Sequence, residues 1–366
     1  MSDELSRKAR IVKRLVAEFN SNRAFADKFA PGANLQSEMD VEYNYPEHLV
    51  AERIHMDNFE MELLTNYAIY DEEKDEFEVP DNIEESDDAE GSNDVEDSSD
   101  VETSSKSETL NDFEDTNNQD ESNSLNDSTK YNIDTNKWVI LQLHGGGYVG
   151  AMRRHYKVMA GLYSEVGKGA TVLTADYRVA PEYPFPAALE DAMVAYEWLL
   201  DQGVPEHKLV LAGDSAGGGL AMALCHTLKS SWRKLPAGII AMSPWTDLTA
   251  SGPSYTENFD IDPVFGNDRS ELIFNNPYIG DANPRDPRIS PAFGDFTGFP
   301  PMLIQVGTDE MLLSDSEMVA AKARSAGVKV RFTKYQGMFH VFQMAGKIME
   351  ESGHAWAEVK RFLEEI

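Results

Sequence analysis

From residue 138 to its end, the chain alternates short apolar or β-branched runs with longer helical patterns, and few folds accommodate that alternation. The runs fall at residues 138–143, 171–174, 209–212, 238–242, 302–306 and 328–332. Helical spacing occupies 187–202, 217–228, 314–326 and 354–363. Strands linked by helices cannot be joined as hairpins, so they predict a mainly parallel sheet with helices on both faces, an α/β fold. No internal repeat interrupts the pattern. With 366 residues and 41% hydrophobic content, one large domain with additional elements is expected.

The first third reads differently. Residues 4–29 place Leu5, Ala9, Val12, Leu15, Val16 and Phe19 at helical spacing among lysines and arginines, which predicts an amphipathic helix ended by Pro31-Gly32. Residues 51–80 are expected to supply the first strands, with 59–65 and 76–79 the clearest. Residues 81–135 are then dominated by Asp, Glu, Ser, Asn and Thr. So few large apolar side chains cannot offset the entropy of ordering, and a disordered acidic insertion in a surface turn is expected. A tolerated spacer accounts for it more simply than an interaction tail, because loop insertions cost little.

The net charge of −32 is concentrated in that segment. Of 64 acidic residues, 25 lie between Asp71 and Asp134 beside three lysines, and removing their net −22 leaves −10 for the rest. A surface of this sign disfavours nucleic acid and anionic membranes as partners, whereas a small neutral substrate meets no such barrier. Cys225 is the single cysteine, which excludes an internal disulfide and any multi-cysteine metal site. The first fifteen residues mix charges and offer no secretion-type apolar core. The most apolar stretch, 209–228, is broken by Asp214 and several glycines rather than continuing as a membrane span. A cytoplasmic protein without stable membrane insertion is the expectation.

Two glycine motifs carry the chemistry. Gly213-Asp214-Ser215-Ala216-Gly217 follows the run 209–212 and opens a small-residue helix, the strand, sharp turn and helix that a nucleophile elbow requires. Alone it is weak, since chance supplies such a pattern in about one chain in ten of this length. His144-Gly145-Gly146-Gly147 follows another strand-like run and arises by chance in on the order of one chain in several hundred. Consecutive glycines leave backbone N–H groups unobstructed, and such donors stabilise the oxyanion that develops during acyl transfer. Neither the Lys-Ser/Thr of a P-loop nor a GxGxxG spacing accompanies them.

HGGGYVGA (144–151), DYRVAPEYPFPAALED (176–191), GDSAGG (213–218), SPWTDLT (243–249) and GMFHVF (337–342) appear in that order. Together they resemble the hormone-sensitive-lipase-like branch of the α/β-hydrolases, across about 230 residues from Trp138 onward. The resemblance implies an α/β-hydrolase fold over residues 136–366, with Ser215 as nucleophile and His340 as general base. It implies an oxyanion hole at Gly145, Gly146, Gly147 and Ala216, and needs neither metal nor organic cofactor. The acid lies in GTDEMLLSD (307–315): the family pattern of a carboxylate two residues before a leucine selects Glu310, with Asp309 the alternative. Asp315 is expected to cap the following helix. Asp176 and Arg178 are expected to support the fold, and His144 to shape the glycine turn. His55, His155, His207, His226 and His354 are expected at the surface or in packing.

The same resemblance implies a helical cap built from residues 1–50 and 250–290, with Phe25, Phe29, Tyr255, Phe259 and Phe265 available to line a pocket or to pack internally. A covered pocket on an acidic protein favours short-chain esters over long-chain triglycerides. The resemblance to the family also suggests a homodimer formed through an edge strand. An amidase or a deacetylase would use the same machinery. A non-catalytic ligand receptor, as in the gibberellin receptors that resemble this family, would lack the histidine that His340 supplies here.

Overall fold

A computed structural model of the chain describes residues 5–20, 37–71, 76–78, 131–266 and 271–366. Most of the expected acidic insertion, residues 21–29 of the expected N-terminal helix with Phe25 and Phe29, and the Pro31-Gly32 that follow it lie outside the described residues. The chain divides into the unit Met1–Asp81 with Asn132–Ile366, which carries every element named below, and the unit Asn82–Tyr131.

The central sheet has eight strands. β1 (Leu49–His55) and β2 (Glu60–Asn66) form an antiparallel hairpin, and β2 pairs antiparallel with β6 (Thr171–Asp176). The remaining strands are β5 (Val139–Leu143), β7 (Leu209–Asp214), β8 (Gly238–Met242), β9 (Met302–Gly307) and β10 (Val330–Tyr335), all parallel to their neighbours. Their order is β1-β2-β6-β5-β7-β8-β9-β10. A small separate sheet pairs β3 (Ile69–Asp71) with β4 (Glu76–Glu78). β5, β7, β8 and β9 are buried at every position, as expected for strands covered on both faces.

The covering helices follow from the alternation of side chains. Ile140, Val172, Val210, Ile240 and Leu303 point to one face, where they meet α2 (His155–Val166) through Met159 and Tyr163 and α6 (Glu350–Glu365) through Trp356, Val359 and Phe362. α3 (Ala187–Asp201) and α4 (Ala216–Ser230) pack against each other and on β5, and α5 (Leu313–Ser325) follows β9 and packs on it. α1 (Arg7–Asn20) lays Ala9, Val12 and Val16 over Met338, Phe339 and Phe342, just after β10. Among the described residues, no helix is long and apolar enough to cross a membrane.

The parallel strands all end at one edge of the sheet. There β5 leads into His144–Gly147, β7 into Ser215, β8 into Ser243, β9 into Asp309 and Glu310, and β10 into His340. This carboxyl edge is where open α/β sheets bind ligands.

Candidate active site

Ser215 joins β7 to α4 in a backbone conformation that side chains other than glycine rarely adopt, with φ 51° and ψ −122°. Its N–H donates to Met242 O at 2.9 Å, and its carbonyl accepts from Trp245 N at 2.8 Å and Gly219 N at 3.1 Å. These bonds hold a turn that would otherwise relax, at a strain on the order of 1–3 kcal/mol. The flanking glycines are sterically required. A Cβ at Gly213 would stand 2.4 Å from the Gly217 carbonyl, and one at Gly217 would stand 2.0 Å from Leu143 O.

The carboxylate and the imidazole meet on the neighbouring strand ends. Glu310, fully buried, places Oε2 2.8 Å from His340 Nδ1. Its Oε1 accepts from the Ser243 hydroxyl at 2.9 Å and from Gly307 N at 2.5 Å. Burial pushes the Glu310 carboxyl above its ordinary pKa, opposed by the hydrogen bond to His340, the His340 charge and the Gly307 N–H. Asp309 points elsewhere and pairs with Lys13 of α1. Ser243, at φ 46°, also accepts from Val341 N at 3.1 Å, so one hydroxyl ties the acid to the loop bearing the histidine. Because Ser215 N bonds to Met242 O, the serine and this hydroxyl hang on consecutive residues of one strand end.

The glycine loop is a tight turn in which Val149 N and Gly150 N both donate to Gly146 O, at 3.1 and 2.8 Å. Gly146 and Gly147 have φ of 114° and 63°. A Cβ at Gly146 would lie 2.7 Å from Gly150 O, so only glycine fits there. Gly145 departs from the expectation that it belongs with the oxyanion donors: its N–H donates to the Tyr156 hydroxyl at 2.8 Å, and that hydroxyl donates to Asp214 Oδ2 at 3.2 Å. A donor spent on a buried phenol is not available to a substrate oxygen. Tyr156 lies eleven residues downstream on α2, so nothing local announces the contact. Gly147 O accepts from Asn276 Nδ2 at 2.8 Å, which anchors the loop from the far side.

His144 is buried and stacks on Tyr177 with ring centroids 4.0 Å apart, while its Nδ1 donates to Gly145 O at 2.7 Å. Burial lowers its pKa and keeps the ring neutral. Its Nε2 stands 3.8 Å from Asp176, too far for a hydrogen bond. Arg178 pairs with Asp191 at 2.7 Å through its Nη2, consistent with a supporting role.

Residues 140–344 match the family described as alpha/beta hydrolase fold. The chain belongs to the α/β-hydrolase family. It is 40% identical over 226 residues to an acetyl-hydrolase of Streptomyces hygroscopicus, covering 61% of this chain and 74% of that protein. It is 37% identical over 225 residues to an esterase of Acinetobacter venetianus, covering 61% and 74%. Its solved structural relatives include an esterase from the bacterial hormone-sensitive lipase family, 27% identical, with TM-score 0.69 over 99% of both chains. The resemblance to the hormone-sensitive-lipase branch therefore extends to three dimensions.

Asp315 does not cap α5; it is buried within that helix and accepts from Thr246 N and Asp247 N, both at 2.8 Å, fixing the segment after β8. Tyr255 is buried and donates to Asp247 O, a packing position. Phe265 lies beside His340, with ring centroids 4.6 Å apart. Among the described residues, no three His, Cys, Asp or Glu side chains are grouped as a metal site. Of the residues that hold the site, Ser243 falls within a recognisable motif, whereas Tyr156 and Asn276 carry no motif signal.

Proposed function

We propose that the protein is a serine carboxylesterase acting on short-chain acyl esters. What supports this reading most is the presentation of Ser215 on a strained elbow at the strand edge that also carries the His340–Glu310 pair. His340 Nε2 takes the Ser215 hydroxyl proton as Oγ attacks the ester carbonyl, and Glu310 holds Nδ1–H and stabilises the imidazolium. The N–H groups of Gly146, Gly147 and Ala216 receive the oxyanion. The Ala216 donor stands at the head of α4, where the first N–H groups have no acceptor within the helix. Imidazolium returns the proton to the departing alcohol. Water, deprotonated by His340, then cleaves the acyl-enzyme and restores Ser215.

α1 and residues 254–266 with 271–274 form the cover, the first over the residues after β10 and the second against Glu310 and His340. Phe265 beside the base and Leu272 against Gly147 narrow the space around the reacting carbonyl, which favours small acyl groups. The acetyl-hydrolase among the relatives agrees with that size.

Hydrolysis of p-nitrophenyl acetate, butyrate, octanoate and palmitate tests the reading. Wild type is expected to prefer the shorter chains, and Ser215→Ala to lose several orders of magnitude in kcat. Glu310→Ala is expected to lose on the order of 10³- to 10⁴-fold, and Asp309→Ala less than about tenfold. A wild type no faster than Ser215→Ala on every ester refutes the proposal.

A further inference from the structure

Residues 258–266 grip the loop that carries Glu310 from both sides. Asn258 Nδ2 donates to Thr308 O at 2.9 Å and to Glu310 O at 2.8 Å. Asp262 Oδ2 accepts from Met311 N at 2.7 Å, the peptide immediately after Glu310. The other Asp262 oxygen accepts from Val264 N at 2.7 Å and Phe265 N at 3.0 Å, fixing the turn that sets the Phe265 ring against His340. Asp262 is 1% exposed and Asn258 8%. A carboxylate this deeply buried is costly to keep unless its bonds are needed. All three of its acceptor bonds go to backbone on the acid loop or beside the base.

We infer that Asp262 and Asn258 are positioning residues for the acid–base pair, holding the Glu310 backbone in register with His340 and placing Phe265 on the imidazole from the same carboxylate. The inference rests on the esterase reading for its kinetic test but not for its spectroscopic one. Glu310 projects from a loop, and its Oε2 must stay within hydrogen-bond reach of an imidazole carried by a different strand end. Ser243 and Gly307 orient the carboxylate itself, whereas Asn258 and Asp262 act on the peptide groups on either side of it. The cover and the catalytic pair are thereby mechanically one unit.

The test uses the full chain with Asp262→Asn and Asn258→Ala. Asparagine keeps the shape of Asp262 but cannot accept from both sets of N–H groups. Asn258→Ala removes two hydrogen bonds without leaving a buried charge, so it provides a folded variant if the first is unstable. The proton NMR signal of His340 Nδ1–H, far downfield because of its bond to Glu310, is expected to broaden or vanish in each variant. kcat is expected to fall on the order of 10- to 100-fold with KM changed less than about threefold. A purely structural role would lower the melting temperature and leave both the signal and kcat in place, and that result overturns the inference. Wild type without turnover would refute the esterase reading alone, since the downfield signal does not depend on turnover.

Discussion

Asp214, beside the proposed nucleophile, is fully buried, and burial raises its pKa to about 7 against the His340 charge and the Tyr156 hydroxyl, which lower it. The folded protein therefore holds this proton from about pH 4 to 7, where an unfolded aspartate has already lost it. Unfolding in that window releases a proton, so this group's contribution to stability is present at low pH and disappears as pH rises through about 7. The difference amounts to at most roughly 4 kcal/mol. Asp214→Asn is expected to flatten the pH dependence and to raise stability relative to wild type above pH 7. Urea denaturation of both proteins at pH 5 and pH 8 measures this, and an unchanged slope would mean that Asp214 is ionised in the fold throughout. The identity of Asp214 as the central residue of a glycine motif was legible in sequence. Its coupling through Tyr156 to Gly145 was not, because that contact is made by the packing of α2 on the sheet.

At the scale of elements, what could be read depended on how many faces each element buries. β5, β7, β8 and β9 announce themselves as continuous apolar runs because both faces are covered. β10 is half-exposed at an edge, with Arg331 and Lys334 in it, and its observed span lies two to three residues beyond the expected one. β1, the opposite edge, reads LVAERIH and presents too little apolar surface to stand out. α1 was legible as an amphipathic helix, but its destination was not. Lys13 donates to Asp309 and, at 3.0 Å, to Gly337 O, while Ser6 bonds to Glu351 at 2.7 and 2.8 Å. Lys13 thus links the loops preceding Glu310 and His340. Lys13→Ala is expected to cost about 1 kcal/mol, lowering the melting temperature by about 2 °C, and Asp309→Ala a similar amount. The double variant should add little to either single change. Strictly additive losses in that double-mutant cycle would show that the pair is not coupled in solution.

For the whole molecule, the uneven distribution of charge leads to a prediction about the acidic stretch. The eight-stranded sheet and every residue proposed for chemistry come from residues 49–66 and 139–366, and the helix over the histidine loop from 7–20. None of them includes the 25 acidic residues between Asp71 and Asp134, whose composition offers little apolar surface to bury. Deleting 82–128, which holds 17 acidic residues and one lysine, removes half of the net charge of −32 while leaving the sheet connectivity intact. Loop shortening of this size changes closure entropy by only about 1–2 kcal/mol, and in the favourable direction. The shortened protein is therefore expected to fold with an equal or higher melting temperature and to retain kcat/KM for p-nitrophenyl acetate within about threefold. Its solubility near its raised isoelectric point should fall, because the charge that keeps molecules apart is halved. Loss of folding or of turnover on deletion would mean that the acidic segment makes contacts the unit 1–81 with 132–366 depends on. Retained turnover with lowered solubility would place its contribution in colloidal behaviour rather than in the site.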